Sequence, residues 1–360
     1  MAASSISNSS EVEFTRRCSS IINDAFTALH LLIGQQLGLF HSMAGISSAQ
    51  LSKTSAQIAE KAGLKERYVR EWLRALVCCD IVDCDESGTQ FWLLPERAAV
   101  LSVPLTGANH IPMYCKVFDS VLECFKLDGP AGTGYDKYEE FHAVMDRYSS
   151  SYYRRYLLSD IIPQVPSLCP ALDSAITCLD IGCGSGAITA LLAGRYPDSH
   201  FVGADFSAEA IARASEKTED LKNAEFIVAD VCQLPSDWSD RFDYVSAFDA
   251  VHDQAYPDRV LAEVFRVLKP GALFSVVDFD STSNCYLDKR QIDDCIFGYT
   301  VSLFHCMPVS LHFEGGMGLG AMWGRRVAEK MFSSAGFLVQ LVTQLPDNGG
   351  VHFICRKPPA

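Results

Sequence analysis

The sequence predicts an α/β fold, with a parallel sheet in its C-terminal half and a smaller, mainly helical domain before it. The first observation is residues 176–186, where an apolar run reaches Asp180 and is followed by three closely spaced glycines. The second is that three later apolar runs also end in an acidic residue, with helical or turn sequence between them. The third is the helical periodicity of the first eighty residues.

The N-terminal part is predicted to contain a helical unit that ends in a hairpin. Residues 14–40 carry a long helical pattern, and a short capped helix is expected between Thr54 and Gly63. Over residues 64–79, apolar side chains recur at the spacing of one buried helix face. Residues 81–93 contain two short apolar runs around an acidic turn with a glycine. The unit therefore resembles a winged helix.

The charge balance argues against DNA binding by this unit. Its second helix has basic residues that can form a stripe (Lys65, Arg67, Arg70 and Arg74), but acidic residues share the region and also occupy the hairpin turn. The whole chain has 30 basic and 44 acidic residues and a formal charge of -14, which opposes binding to phosphate. We expect no nucleic acid partner.

The turn after Asp180 is predicted to bind a cofactor. Gly182 and Gly184 can take backbone angles closed to other residues, and they let a ligand approach the main chain. The helix that begins near Ala187 offers free amides at its N-terminus. The same glycines, with Asp205 as an acid about 20 residues on, also satisfy a dinucleotide fingerprint, so spacing alone leaves the cofactor open.

The following strands predict where the site lies. Acidic residues end the runs 200–205, 225–230 and 242–249, and the carboxyl ends of parallel strands gather along one edge of a sheet. An amphipathic helix over residues 259–268, a Lys-Pro-Gly turn and a strand over residues 272–278 complete the pattern. That edge is the predicted rim of the active site.

Four segments together resemble a class I S-adenosylmethionine-dependent methyltransferase with a Rossmann-like sheet, over residues 170–358. They are residues 179–186, 203–207, 229–231 and 266–272. A nicotinamide dehydrogenase would use the same glycines but fits the last three segments poorly. The resemblance implies S-adenosylmethionine as the cofactor and a methyltransferase as the enzyme class.

The resemblance also implies roles for individual residues. Gly182 and Gly184 would hold the methionine part of the cofactor, with Asp180 near its amino group. Asp205 would accept hydrogen bonds from the ribose hydroxyls, and Phe206 would lie against the adenine. Asp230 and the amide of Val231 would contact the exocyclic amine of the adenine. Phe248, at the end of the fourth strand, is the remaining implied cofactor contact.

The order of winged helix and methyltransferase resembles small-molecule O-methyltransferases and a winged-helix methyltransferase subgroup found in bacteria and animals. In these enzymes the N-terminal unit forms a dimer interface, which implies a homodimer. They carry a His-Asp pair after the fourth strand, so His252 is the expected general base with Asp253 beside it. Adjacent strand residues point apart, so Asp253 orients His252 only if the chain turns there; Asp278 and Asp280 are alternative partners.

The acceptor pocket is predicted from two further segments. Residues 281–324 form an apolar and aromatic insert, in which Tyr299 and His305 are candidate substrate contacts and the glycines of 315–320 suggest a mobile lid. Residues 141–156 form a tyrosine-rich helix expected to cap the cofactor. Tyr148, Tyr152 and Tyr153 are the candidates for shielding the sulfonium of the cofactor, because a tyrosine ring attracts a cation. Tyr152 is also the expected substrate contact on this helix.

The predicted domains are a disordered start (1–12), a winged-helix and dimerisation domain (13–105), a helical linker and cofactor cap (106–169) and the methyltransferase domain (170–358). The 14 cysteines show no metal-ligand spacing, so we expect no metal. The absence of an apolar signal or spanning segment predicts a cytoplasmic protein without a membrane partner.

The predicted function is methyl transfer from S-adenosylmethionine to a small acceptor, with a hydroxyl preferred as the acceptor group. One alternative is methylation of a small amine or N-heterocycle. An alternative of another class is a non-catalytic scaffold or regulator that senses the cofactor.

Overall fold

The computed structural model describes residues 2–103, 105–138, 141–348 and 350–360, and the side chains of residues 2–8, 106, 141–143, 146–150 and 348 lie outside that description. The chain divides into two compact units, Met1–Asn109 and His110–Ala360. The predicted boundary between residues 105 and 106 falls close to this division.

The N-terminal unit contains five helices and three short strands among the residues described. In chain order they are α1 (Ala2–Gln36), α2 (Leu39–Ser42), β1 (Lys53–Thr54), α3 (Ser55–Ala62), α4 (Glu66–Cys78), β2 (Asp83–Cys84), β3 (Gln90–Trp92) and α5 (Pro95–Leu101). The strands form an antiparallel sheet in the order β1-β3-β2. This is the helix-turn-helix and hairpin arrangement that the sequence predicts.

Local sequence explains how α3 and α4 form. Thr54 and Gln57 make a reciprocal capping box at the start of α3, and Gly63 ends the helix with φ 68°. The apolar face of α4 is buried, and the Nε1–H of Trp72 donates to the carbonyl of His30 at 2.8 Å. That bond fixes α4 to α1.

Helix α1 begins at Ala2, within the segment 1–12 for which the sequence predicts disorder. A helix satisfies its own backbone hydrogen bonds without a partner surface. The side chains of residues 9–26 are exposed, and the hydroxyl of Thr15 donates a hydrogen bond to the carbonyl of Glu11 at 2.8 Å.

The C-terminal unit alternates helices and strands. Its helices are α6 (His110–Cys124), α7 (Phe141–Tyr156), α8 (Leu168–Leu172), α9 (Ala187–Arg195), α10 (Ala208–Lys217), α11 (Pro257–Val267), α12 (Cys285–Gln291), α13 (Cys295–Val301), α14 (Met307–Leu311) and α15 (Arg325–Ser334). Its strands are β4 (Thr177–Ile181), β5 (His200–Asp205), β6 (Ala224–Val228), β7 (Phe242–Phe248), β8 (Leu268–Asp278), β9 (Leu338–Gln344) and β10 (Val351–Arg356).

These strands form one seven-stranded sheet in the order β6-β5-β4-β7-β8-β10-β9. Strands β4 to β8 pair in parallel, whereas β10 is antiparallel to both β8 and β9. The chain moves outward from β4 through β5 to β6 and then returns to β7 on the other side. The strand order therefore switches between β4 and β7, where open α/β sheets bind ligands outside the carboxyl ends. The Rossmann-like fold prediction is confirmed.

Helices cover both faces of this sheet. One face packs against α11 and α15 through buried residues such as Leu261, Val264 and Phe332. The other packs against a π-helical turn after α7 (Leu157–Ile161) and against α8 and α9. The insert between β8 and α15 carries α12 to α14, and its aromatic residues pack on α6. None of the described helices is long and apolar enough to cross a membrane.

Candidate active site

The turn between β4 and α9 requires its glycines. Gly182 and Gly184 have φ of 65° and 53°, in the left-handed region. A Cβ on Gly182 would lie 2.6 Å from the Cβ of Ala250, the residue that begins the turn after β7. The backbone at Gly182 thus packs directly against the methyl group of Ala250.

Asp205 at the end of β5 holds this turn. Its Oδ2 accepts the amide of Gly184 at 2.9 Å, and its Oδ1 accepts the amide of Ser207 at 2.9 Å. The side chain is 8% exposed. Each carboxylate oxygen has lone pairs beyond these two bonds, so Asp205 can still accept hydrogen bonds from a ligand.

Asp180 lies on β4 beneath the glycine turn. It accepts hydrogen bonds from the hydroxyls of Thr189 at 2.9 Å and Ser246 at 3.0 Å. Burial raises the pKa of Asp180 to about 7, although both hydroxyls favour its ionised form. The two bonds fix the orientation of the carboxyl group.

One cavity at the carboxyl ends of β4, β5 and β7 brings together most of the predicted cofactor residues. They are Asp180, Gly182, Gly184, Asp205, Phe206, Val231 and Phe248. Asp230 is exposed and does not line this cavity. Its Oδ1 instead accepts the amide of Cys232 at 2.8 Å, because the carboxylate caps the turn that follows β6.

Asp249 is a site residue to which the sequence assigns no role beyond a strand end. It follows β7 with φ 50°, and its Oδ2 accepts the phenol of Tyr153 at 2.8 Å. Burial, and then the neighbouring Asp278, raise the pKa of Asp249 to about 7. Among the described residues, the cavity wall has four carboxylates (Asp180, Asp205, Asp249 and Asp253) and no basic side chain.

The chain turns at residues 251–253, and this turn places His252 between two carboxylates. Its Nδ1 lies 2.6 Å from Oδ1 of Asp278, and its Nε2 lies 3.1 Å from Oδ1 of Asp253. Both predicted partners therefore flank the ring. Asp280, the third candidate, instead makes two bonds to the guanidinium of Arg325, at 2.7 and 2.6 Å.

The electrostatics favour a charged imidazole. Burial alone would lower the pKa of His252, but Asp278 and Asp253 outweigh it and raise that pKa well above its usual value. Burial would raise the pKa of Asp253, but His252 lowers it to about 2. His252 is 2% exposed, whereas Asp253 and Gln254 line the cavity. The imidazole thus lies behind Asp253.

Two predicted substrate residues lie away from the cavity wall. The phenol of Tyr152 donates to the carbonyl of Pro346 at 2.9 Å, and Tyr153 on the next helical position lines the cavity instead. The phenol of Tyr299 donates to Oδ2 of the buried Asp288 at 2.8 Å. These phenols support the protein's own loops, and the side chain of Tyr148 lies outside the described residues.

His305, the third candidate, lies beside the His252–Asp253 pair. Its Nδ1 is 3.8 Å from Oδ2 of Asp253, and its ring meets the rings of Tyr135 and Tyr138 edge to face. Tyr135, which the sequence did not single out, lines the cavity and also contacts Phe206, at 5.1 Å between ring centroids. Tyr135 therefore joins the cofactor side of the cavity to His305.

The glycine-rich segment 315–320 is fastened to the turn that follows β7. The amide of Met317 donates to the carbonyl of Ala255 at 2.9 Å, and the amide of Gly318 donates to the hydroxyl of Ser310 at 3.0 Å. That hydroxyl in turn donates to the carbonyl of Gln254 at 2.8 Å. These bonds hold Met317 and Gly318 against that turn, and no described residue of 315–320 lines the cavity.

Comparison with known proteins matches both parts of the chain. Residues 172–304 match a family described as a methyltransferase domain, and residues 25–103 match the Rv2258c-like winged HTH domain. A sterol 24-C-methyltransferase of Debaryomyces hansenii is 28% identical over 172 residues, which are 47% of this chain and 41% of that protein.

A 2-phytyl-1,4-naphtoquinone methyltransferase of Nostoc punctiforme is 35% identical over 125 residues, which are 34% of this chain and 54% of that protein. The chain thus spans about half the length of these curated relatives. Their similarity concerns the methyltransferase domain.

Solved structures extend the similarity to nearly the whole chain. A putative O-methyltransferase from Nostoc punctiforme has a TM-score of 0.70 at 17% identity, covering 95% of this chain and 99% of its own. Human N-acetylserotonin methyltransferase, solved in complex with SAM, has a TM-score of 0.63 at 15% identity, covering 96% and 97%. Mitomycin 7-O-methyltransferase has a TM-score of 0.61 at 14% identity, covering 97% and 99%. At these identities the likeness concerns the fold.

Proposed function

We propose that this chain, which joins a winged helix-turn-helix domain to a class I methyltransferase domain, transfers the methyl group of S-adenosylmethionine to a small-molecule acceptor. One observation carries the proposal. The cavity at the switch point has four carboxylates and no basic side chain among the described residues. S-adenosylmethionine is cationic at its sulfonium and ammonium groups, so an acidic cavity suits it.

The residues of the cavity fit this cofactor. Asp205, fixed by two amides, has lone pairs left for a ribose diol, and Phe206 offers a half-exposed aromatic face to an adenine. No atom lies within 4 Å of the place where a Cβ on Gly184 would stand, so a ligand can approach the backbone there. When bound, the cofactor supplies an electrophilic methyl group for in-line displacement. Holding the acceptor in line with it contributes up to about 7–11 kcal/mol.

We assign His252 as the base that takes the proton of a hydroxyl acceptor. The carboxylate of Asp278 lies 2.6 Å from Nδ1, so we assign the proton of the neutral ring to Nδ1 and the base to Nε2, which lies 3.1 Å from Asp253. The two carboxylates that raise the pKa of His252 stabilise the imidazolium formed by proton transfer. Only the neutral ring is a base, so we expect turnover to rise with pH.

The decisive experiment compares His252→Gln with the matched control His200→Gln, whose histidine lies at the opposite end of the sheet. For His252→Gln we expect kcat to fall by about 10²–10⁴ with unchanged cofactor affinity. The control should retain both values. If the kcat of His252→Gln equals that of the wild type, His252 is not the base. If the wild type does not bind S-adenosylmethionine in calorimetry, the proposed function is wrong.

Methylation of an amine is the second candidate, because the same acidic wall also suits an ammonium acceptor. Acceptor panels of phenols and small amines, with labelled methyl donor, separate the two reactions by product. An amine needs no base once neutral, so its methylation would tolerate His252→Gln. Cofactor binding without methyl transfer to any acceptor would instead favour a scaffold.

We also assign a homodimer that forms through the N-terminal unit. Helix α1 exposes large apolar side chains along its length, including Phe14 at 70% and Phe26 at 58% exposed. Sedimentation of wild type and of the double variant Phe14→Asp/Phe26→Asp tests this, and a wild-type monomer would contradict it.

All 14 cysteines are free in the structure, which suits a reducing compartment such as the cytoplasm.

A further inference from the structure

Cys306 lies at the His252–Asp253 pair and has no part in the proposed methyl transfer. It is the last residue of a π-helical turn, Ser302–Cys306, and is 2% exposed. Ligand atoms of His252, Asp253 and Cys306 all lie within 4.8 Å of one another. Nitrogen, oxygen and sulfur donors from two separate segments thus converge on one point.

We propose that these three side chains bind one Zn²⁺ ion. Zinc takes histidine nitrogen, carboxylate oxygen and thiolate sulfur at about 2.0–2.3 Å, so its tetrahedral ligand atoms lie about 3–4 Å apart. The three donors reach this separation by small side-chain shifts. Because Nδ1 of His252 contacts Asp278, the zinc ligand is Nε2, which lies 3.1 Å from Asp253.

The surroundings match those of a metal-binding histidine. Such a histidine donates its second ring N–H to a carboxylate, which fixes the tautomer and raises the basicity of the ligand nitrogen. The carboxylate of Asp278 is the group nearest to that position, 2.6 Å from Nδ1 and 0% exposed, although the contact does not have hydrogen-bond geometry in this structure. His305 lies 3.8 Å from the other oxygen of Asp253 and helps to hold that carboxylate in place.

The charge of the cluster also favours a cation. The buried carboxylate of Asp278 and the partly buried carboxylate of Asp253 both face the imidazole of His252. The thiol of Cys306 adds a third negative charge when a metal displaces its proton. A divalent ion offsets this charge without a basic side chain, of which the described cavity wall has none.

A bound zinc ion would block the proposed reaction. It occupies the lone pair of Nε2 that a hydroxyl acceptor needs, and Asp253 places it at the cavity wall. This inhibitory effect rests on the proposed function, whereas zinc binding itself does not. Zinc also offsets the charge of Asp253, one of the four carboxylates of the cavity, so it should weaken the affinity for the cationic S-adenosylmethionine.

The test titrates the metal-free full-length chain with Co²⁺, which adopts the same tetrahedral sites and absorbs through a thiolate charge-transfer band. We expect one Co²⁺ per chain with this band, displaced by Zn²⁺. Cys306→Ser and Asp253→Asn should lose it, and Asp278→Asn should weaken binding by about 10- to 100-fold. Cys178→Ser, a buried thiol on β4, is the matched control and should bind as wild type.

Absence of the thiolate band in the wild type would overturn the proposal, as would wild-type binding by Cys306→Ser. Circular dichroism confirms that each variant folds. If Cys306→Ser fails to fold, Cys306→Ala takes its place, and the proposal requires the thiolate band in the wild type and its loss in Cys306→Ala. The cobalt titration needs no methyl acceptor, so a failed zinc site and a failed methyltransferase assignment give different results.

Discussion

The carboxylate of Asp278 lies 2.6 Å from Nδ1 of His252, and both side chains are almost fully buried. Asp278 ends β8 and His252 follows β7, so two adjacent parallel strands deliver the pair to one point. The sequence offers Asp278 as one of three candidate partners of His252, with Asp253 and Asp280, and does not choose between them. Because Asp278 faces Nδ1, Nε2 is the nitrogen of His252 to which we assign the role of base.

Asp278→Asn should therefore remove catalysis while leaving cofactor binding. An asparagine can turn its amide N–H₂ toward Nδ1 of His252, and the imidazole then carries its proton on Nε2. Because the base needs a lone pair on Nε2, this tautomer cannot accept the proton of the acceptor. We expect kcat to fall by about 10²–10⁴ at unchanged affinity for S-adenosylmethionine. Steady-state kinetics and calorimetry measure the two quantities. Asp280→Asn, beside it in the chain but paired with Arg325, is the control.

Asp205→Asn should weaken cofactor binding far more than Asp230→Asn. Asp205 lines the cavity and orients the glycine turn through the amide of Gly184, whereas Asp230 is exposed and bonds the amide of Cys232. A lost hydrogen bond to a charged group costs about 1.5–3 kcal/mol, or roughly a 10- to 100-fold rise in Kd. Calorimetric titration of both variants checks this. Equal losses would give Asp230 a contact with the adenine that its exposed position here does not indicate.

Asp180→Asn should stabilise the fold near and above neutral pH. Burial raises the pKa of Asp180 from 3.8 to about 7, so between these pH values the unfolded chain releases a proton that the folded chain keeps. The free energy of unfolding therefore falls as pH rises through this window. The full shift corresponds to about 4 kcal/mol, and with some loss of hydrogen bonding we expect a gain of about 1–3 kcal/mol at pH 8.

Urea unfolding of wild type and Asp180→Asn at several pH values measures this difference. The gain should vanish below about pH 4, where the carboxyl group is protonated in both states. A variant that is less stable than wild type at every pH would show that the hydroxyls of Thr189 and Ser246 stabilise the carboxylate more than burial opposes it.

His352 should make the fold sensitive to mild acid. It is fully buried on β10, with Gln164 at 3.1 Å and Ser275 at 3.0 Å, and burial lowers its pKa from 6.5 to about 4. Its contribution is complete above pH 6.5 and is lost as pH falls toward 4, by about 3 kcal/mol in total. His352→Gln should flatten the pH dependence of the unfolding free energy over this window. An unchanged slope would contradict it.

The sequence predicted those parts of the fold that depend on neighbouring residues. The capping box at Thr54, the stop at Gly63 and the glycine turn after β4 are local signals, and each lies where predicted. The acids at the strand ends were also predicted to share one edge. Parallel strands bring their carboxyl ends together whatever the loops between them do.

Contacts between distant segments were not predictable in this way. Tyr152 and Tyr153 are adjacent on a helix, and the rotation of α7 against the sheet decides which of them faces the cavity. Asp249 receives its hydrogen bond from Tyr153, 96 residues earlier. Cys306 reaches Asp253 only because the insert folds back onto the turn after β7. No periodicity in the sequence encodes such pairs.

The hydrogen bonds that fasten the insert to the turn after β7 bear on how the acceptor range of such an enzyme can be changed. Ser310 links Gln254 to Gly318, and Met317 bonds to Ala255, so a shift in either segment displaces the other. Asp205 makes none of these bonds, whereas Gly182 packs against Ala250. Residues 251–256 and 307–318 therefore form one exchange unit for protein engineering, to be swapped between relatives together while Ala250 and the cofactor half are kept intact.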